Sequence, residues 1–164
     1  MTSILKVSEI QDPTNSNTAL TINATGDVKI PGHVVQFQKY QAASTGGTTS
    51  TSTSYVSDGE ISITPKYPDS ILAIVANSGS SIASGYGYFR IFETASSTEV
   101  QKAPWGNFSS SPQWLASVNM SATYTPGDTT TRVFQLQGQV VSGTRYINYE
   151  TYLSIMVYEI AQEE

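Results

Sequence analysis

The chain has 164 residues, with 8 basic and 13 acidic side chains and a formal net charge of −5. So few and so widely dispersed cations argue against a protein that binds nucleic acid or an anionic membrane surface. Charged residues make up 13% of the chain, roughly half the usual share, and Ser and Thr, about a quarter of the residues, supply most of the polarity instead.

Residues 1–32 are predicted to form a β-rich segment of three short strands that ends at Pro31-Gly32. Its apolar residues are too few to bury enough surface to offset the chain entropy alone. We therefore expect the segment to intertwine with copies of itself or to dock on a larger structure, the alternative being a disordered leader. The residues expected at this interface are Ile4, Leu5, Val7, Leu20, Ile22, Val28 and Ile30.

Residues 33–164 are predicted to form an antiparallel β-sandwich or jelly roll of about seven or eight strands. Apolar and polar residues alternate with period two throughout, and helical spacing is nearly missing. The alternation is clearest over residues 114–124, and over 134–140 it places the glutamines outward. The uncharged Ser/Thr stretch at 42–54 is predicted to be a loop, with a strand from about Thr51.

Turn residues predict breaks between the strands of this domain. The last strand is different, because it is apolar on both faces. Leu153, Ile155 and Val157 lie on one face, and Met156 and Tyr158 lie on the other. Such a strand is either central under a second layer or part of a subunit interface. The predicted breaks are Asp58-Gly59, Asn77-Ser78-Gly79, 125–128 and 142–144.

The sequence contains no recognisable catalytic or metal-binding constellation. The chain has one histidine, His33, and no cysteine, so thiolate ligands and nucleophiles are excluded. No G-x-S-x-G motif accompanies that histidine. A carboxylate pair that cleaves glycosidic bonds is the strongest enzyme alternative, but the acidic residues lie in predicted turns or apart on strands. We therefore expect no enzymatic activity, no cofactor and no bound metal.

Aromatic residues are the remaining candidates for a binding site. On a surface rich in Ser, Thr and Asn, rings stack on sugar faces while amides and hydroxyls bond the sugar hydroxyls. Tyr67, Trp105 and Phe108 lie in predicted loops and are the candidate ligand-binding residues. The alternative is that these rings plug the ends of the sandwich or a subunit seam.

Several segments together carry a family resemblance. They are residues 4–11, 18–22 and 26–28 in the leader, and 34–37, 61–65, 70–75, 88–91 and 153–161 in the sandwich. In this order they resemble the small β-rich C-terminal modules of bacteriophage tail fibres and related virion appendages, common in marine and cyanobacterial phages and in prophages. Residues 94–113 have no counterpart in that pattern.

The resemblance implies a phage virion structural protein. Because the chain starts with neither a basic stretch nor an extended apolar core, we predict no signal peptide and expect synthesis in the host cytoplasm. We expect a tail-fibre-like appendage that displays the sandwich for attachment to host-surface glycans, as a homotrimer that meets other virion proteins through its N-terminal segment. No nucleic-acid partner and no membrane insertion are expected. The alternative is an architectural head-decoration or connector protein without ligand-binding activity.

Overall fold

The structure, a computed structural model, describes residues 9–11, 18–22, 28–42, 48–82, 85–107, 116–147 and 152–162. Within these ranges every regular element is a strand, and all strand pairs are antiparallel. Two sheets pack against each other as a β-sandwich, so the predicted all-β class is confirmed.

A small third sheet lies at the N-terminal end, in the order β1 (Glu9–Gln11), β2 (Thr18–Ile22), β3 (Val28–Lys29). All later strands belong to the other two sheets. The connection is fixed to the sandwich, because Gly32 N donates to Ala161 O at 2.8 Å. The Lys29 ammonium pairs with Asp69 at 2.7 Å. The small sheet therefore meets the sandwich at the end where Asp69 lies.

The larger sheet of the sandwich has the order β4 (Val34–Ala42), β13 (Leu153–Ile160), β7 (Ile71–Ile82), with β10 (Ala116–Tyr124) on the other edge of β7. Two three-residue strands, β12 (Arg145–Ile147) and β5 (Thr48–Ser50), continue it beside the second half of β7. Within the described residues they bring the strands after residue 33 to ten, more than the seven or eight predicted. The strand expected from about Thr51 lies earlier, since β5 ends at Ser50 and residues 51–55 are irregular.

The smaller sheet has the order β6 (Val56–Ile63), β11 (Arg132–Val140), β8 (Gly85–Glu93), β9 (Thr98–Asn107). Alternate residues of both sheets point inward and form the core, as the period-two pattern predicts. In β10, the polar residues of the alternation are exposed while Val118 and Met120 are buried. The largest apolar core residues are Leu72, Ile74, Leu153 and Ile155 from the larger sheet and Phe89, Ile91, Phe134 and Leu136 from the smaller one.

Two of the four predicted breaks are wrong. Asp58-Gly59 lies inside β6, and Asn77-Ser78-Gly79 lies inside β7. In β6 the residue types that suggest a turn serve a β-bulge, since Leu136 pairs with Gly59 and Gln137 with Ser57, leaving Asp58 as the extra residue. A Cβ at position 59 would overlap Tyr40 and Leu153. The breaks at 125–128 and 142–144 are confirmed as irregular connections.

A buried ion pair joins the two sheets. Arg145 extends from β12 of the larger sheet and binds Asp58 of β6 through both carboxylate oxygens, at 2.5 and 2.8 Å. Both side chains are fully buried. The guanidinium also donates to Gly138 O at 3.3 Å and lies 5.1 Å from the ring centre of Phe89. One side chain therefore contacts three strands of the opposite sheet.

The turn from β8 to β9 is organised by a buried carboxylate, that of Glu93. It accepts hydrogen bonds from the backbone N–H of Ser96 at 2.7 Å and of Ala95 at 3.0 Å, and from the Ser96 hydroxyl. Burial opposes ionisation of this carboxyl, but the hydrogen bonds from Ser96, Ala95 and Val133 outweigh it and lower its pKa below the ordinary value of 4.5.

Substituting Glu93→Gln is expected to destabilise the protein by about 1 to 3 kcal/mol at pH 7, because the charge-assisted bonds of the turn are lost. A carboxyl whose pKa is lowered on folding stabilises the fold above its unfolded-state pKa, and this contribution is lost as the pH falls through the folded-state value. Urea unfolding at pH 7 and at pH 3 measures the difference between wild type and variant. The difference should shrink at pH 3, and an equal difference at both pH values would contradict the assignment.

Candidate functional site

The structure places Tyr67 inside the sandwich end rather than on its surface. Its side chain is only 7% exposed, and the Lys29 ammonium lies 5.4 Å from the ring centre. The connection that carries it is held by the buried Glu159, whose carboxylate accepts the backbone N–H groups of Lys66 and Tyr67 at 2.8 and 3.0 Å. The Tyr67 ring therefore fits the alternative of a plug and offers little area for stacking on a sugar.

Trp105 lies in strand β9, so its prediction as a loop residue is wrong. It pairs with Gly87, and its ring packs edge to face on the core residue Phe89, with ring centres 5.5 Å apart. The indole therefore covers one margin of the core instead of facing the surface of the smaller sheet. Phe108, the third candidate, lies outside the described residues.

The predicted interface residues of the leader are partly described. Leu20, Ile22 and Ile30 are half-buried, while Val28 remains 44% exposed. Ile10 on β1 is 50% exposed. Within the described residues, the small sheet thus keeps apolar side chains in contact with solvent. Ile4, Leu5 and Val7 lie outside the described residues.

The outer face of the smaller sheet gathers aromatic and basic side chains. Gly87, Phe89 and Ile91 of β8 face inward, so the intervening residues of the strand face outward. The Arg90 guanidinium lies 3.8 Å from the ring centre of Tyr55. We call this surface the aromatic–basic face; it consists of Tyr55, Tyr86, Tyr88, Arg90, Phe92, Lys102, Gln135 and Gln137.

Cations and rings alternate along the aromatic–basic face. The Arg90 guanidinium also lies 4.1 Å from the ring centre of Phe92. Lys102, the strand neighbour of Arg90, places its ammonium 4.6 Å from the ring centre of Tyr88. Tyr86 lies edge to face with Tyr88, with ring centres 6.5 Å apart, and is 38% exposed. The resulting surface has an exposed ring at one end and positioned cations beside it.

A chain of hydrogen bonds fixes the polar groups of the same face. Arg90 Nε donates to Gln137 Oε1 at 2.8 Å, and Gln137 Nε2 donates to Gln135 Oε1 at 2.5 Å. Gln135 Nε2 in turn donates to Glu60 Oε2 at 2.9 Å. At the other end, Arg90 Nη1 approaches Glu99 at 3.4 Å. The glutamines thus face outward as predicted, although neighbouring side chains bury Gln137. The network restrains these side chains in the absence of a ligand.

Sequence reasoning missed the aromatic–basic face, although a signal for it exists. In the segment 86–90, the residues that can be buried are the odd-numbered ones, Gly87 and Phe89. Gly87 in particular packs against backbone, since a Cβ there would overlap Gln139 O of β11. Period two then assigns the two tyrosines and Arg90 to the outer face. The contributions of Tyr55 and Lys102 depend on strand pairing, which alternation alone does not supply.

A second surface, on the outer side of the larger sheet, is apolar. The last strand β13 is central, between β4 and β7. Its inner residues are buried, whereas its outer residues are half-buried and no described element covers them. The rings of Phe37 and Tyr158 are tilted by 35° with their centres 4.8 Å apart, and Phe37 is 46% exposed. We call this surface the apolar face; it consists of Phe37, Ile71, Ala73, Val75, Met156, Tyr158 and Ile160.

Among the described residues, no cluster of three or more His, Cys, Asp or Glu side chains is arranged to hold a metal ion. In the same part of the chain, no helix has the length and apolarity needed to cross a membrane.

A scan against protein-family models and a search of curated proteins both find no match to the chain.

Proposed function

We propose that this chain is a structural protein of a phage virion and that its sandwich attaches to glycans on the host surface. The virion assignment rests on the resemblance of the leader and sandwich segments described above. The glycan assignment rests on the aromatic–basic face, where rings, amides and cations lie on one restrained surface. Exposed rings supply stacking area, and the amides supply the hydrogen bonds that orient a sugar.

In this proposal the binding role passes from Tyr67 and Trp105 to residues on the outer face of the smaller sheet. Tyr86 is the ring with the most accessible surface on that face, and Tyr88 continues it. Binding by rigid strand residues costs little ordering entropy, since β8 is paired on both sides, with β11 and β9. The chain acts by binding and carries out no chemical step.

Assembly is proposed to use the other end of the molecule. The N-terminal segment with its exposed Ile10 and Val28 joins three copies and connects them to other virion proteins. In such a trimer, the weakly charged, Ser/Thr-rich surface forms the outer surface of a virion component. In an isolated monomer the same low charge favours edge-to-edge association of sheets.

A second function is favoured by the apolar face. Contiguous exposed apolar surface is typical of protein contacts rather than of sugar binding. Phe37, Tyr158 and Met156 give the larger sheet this character. An architectural head-decoration or connector protein would use this face to dock on virion proteins and would need no ligand.

Replacing Tyr86 by alanine is expected to weaken binding to host cells or to their purified surface polysaccharide by about tenfold, since one stacking ring is lost. Phe37→Ala is the matched control, because it removes an aromatic ring of similar exposure from the opposite outer face. Binding is measured by surface plasmon resonance on the polysaccharide and by flow cytometry with labelled protein.

The two variants separate the two functions. For an attachment protein, Tyr86→Ala loses binding and Phe37→Ala retains it. For an architectural protein, wild type shows no binding, and Phe37→Ala alone reduces incorporation into particles, as read from the protein content of purified virions. Unchanged binding by Tyr86→Ala would contradict the assignment of the aromatic–basic face.

A further inference from the structure

We infer that the ligand of the aromatic–basic face is an acidic polysaccharide, whose uronate carboxylate pairs with Lys102. This inference rests on the proposed attachment function and names the class of glycan. A pyranose ring would lie against Tyr86 and Tyr88, and its carboxylate would approach the ammonium that sits beside Tyr88.

Lys102 differs from the three arginines of the sandwich in its partners. Arg132 and Arg145 each bind a carboxylate, at 2.7 and 2.5 Å. Arg90 approaches Glu99 and bonds Gln137, so its guanidinium is occupied. No carboxylate of the described residues lies within salt-bridge distance of Lys102, whose exposed ammonium contacts only the rings of Tyr88 and Tyr55, at 4.6 and 5.9 Å.

Charge complementarity selects the ligand class. The chain carries a net charge of −5, so a polyanion is repelled by the molecule as a whole and needs a local cation to bind. Lys102 supplies that cation. A neutral sugar would gain only hydrogen bonds from this ammonium, whereas a uronate would also gain the charge attraction of a charge-assisted bond. A single accessible ammonium also suits a carboxylate on each sugar unit better than nucleic acid, whose binding needs several phosphate contacts.

The test compares matched polymers with and without carboxylates. Alginate, polygalacturonate and hyaluronan are immobilised beside their carboxyl-reduced forms, in which each uronic acid has become the neutral sugar, together with a panel of neutral polysaccharides. The full chain is measured as wild type, Lys102→Gln, Lys102→Arg and Lys39→Gln. Lys39 is an exposed lysine on β4 of the other sheet and serves as the charge-matched control.

Wild type is expected to prefer at least one acidic polymer over its reduced form by about fivefold, the scale of one exposed ion pair, and to lose this preference in Lys102→Gln. Lys102→Arg and Lys39→Gln should retain it. Increasing NaCl should weaken binding to the acidic form only.

Equal binding to acidic and reduced forms, or an unchanged preference in Lys102→Gln, overturns the inference and leaves glycan attachment standing. Binding to the neutral polysaccharides alone would also overturn the inference and leave glycan attachment standing. Failure of wild type to bind any polymer or any host cell overturns the attachment function as well. The thermal unfolding midpoint of each variant, which should match that of wild type, excludes misfolding as the cause of a loss.

Discussion

Replacing Asp58 by alanine is expected to lower the free energy of unfolding by about 3 to 5 kcal/mol, the usual cost of removing one partner of a buried ion pair. The Arg145 guanidinium, a cationic group, is fully buried. Without Asp58, the Gly138 carbonyl and the face of Phe89 are its remaining partners. The variant therefore keeps an uncompensated cation between the two sheets.

Removing the other partner is expected to cost less. Burial raises the pKa of the Asp58 carboxyl, and Arg145 opposes that rise. In Arg145→Met the opposition is gone, so burial raises the pKa of the Asp58 carboxyl further. Because its folded-state pKa then lies above the unfolded-state value, the folded protein binds more protons, and its stability falls as the pH rises.

Chemical denaturation at pH 5 and pH 8 tests both variants. At pH 5, Asp58→Ala should be the less stable of the two variants. At pH 8, the difference in free energy of unfolding between Arg145→Met and wild type should be larger than at pH 5. Glu60→Gln is the control, because Glu60 lies two residues away on the same strand but is exposed, and among the described residues its side chain bonds only Gln135. This control should change stability by less than about 1 kcal/mol. Equal losses in Glu60→Gln and Asp58→Ala would refute the role of the buried pair.

The position of Asp58 shows where sequence reasoning stops. Alternation correctly assigns Ile61 and Ile63 of β6 to the core, because each residue's face follows from its neighbour's. At Asp58 a bulge breaks this count, and an Asp-Gly pair is a common turn signal. The partner that turns Asp58 inward, Arg145, lies 87 residues away in the chain. Local patterns therefore predict the layers of this fold but not the long-range polar contacts that lock them together.

The same limit applies to the candidate site. The composition makes rings and amides the candidate binding groups, and period two is enough to place Tyr86 and Tyr88 outward on β8. Loop position, by contrast, is a poor guide to exposure, since Tyr67 is held inward by Glu159, 92 residues later in the chain. The pairing of β8 with β9 decides that Lys102 lies beside Tyr88. A side chain's accessibility is thus a property of the assembled sheets.

Replacing Glu159 by alanine is expected to lower the free energy of unfolding by at least about 3 kcal/mol, since it removes three hydrogen bonds to a carboxylate and such bonds contribute about 1.5 to 3 kcal/mol each. The carboxylate is fully buried. It accepts the N–H of Lys66 at 2.8 Å, the N–H of Tyr67 at 3.0 Å and a short bond from the Gln36 amide. Glu159→Gln keeps the shape and one acceptor oxygen, so we expect a smaller loss, of about 1 to 2 kcal/mol.

Amide hydrogen exchange gives this prediction a local readout that global stability lacks. In wild type the amides of Lys66 and Tyr67 are bonded to the carboxylate, and their exchange requires opening of the 64–70 connection. In Glu159→Ala these amides should lose most of their protection while the core amides of β11, such as that of Leu136, lose only what the drop in global stability explains. If all amides change in parallel, Glu159 stabilises the fold without holding the connection. In that case another contact keeps Tyr67 buried at the end of the sandwich.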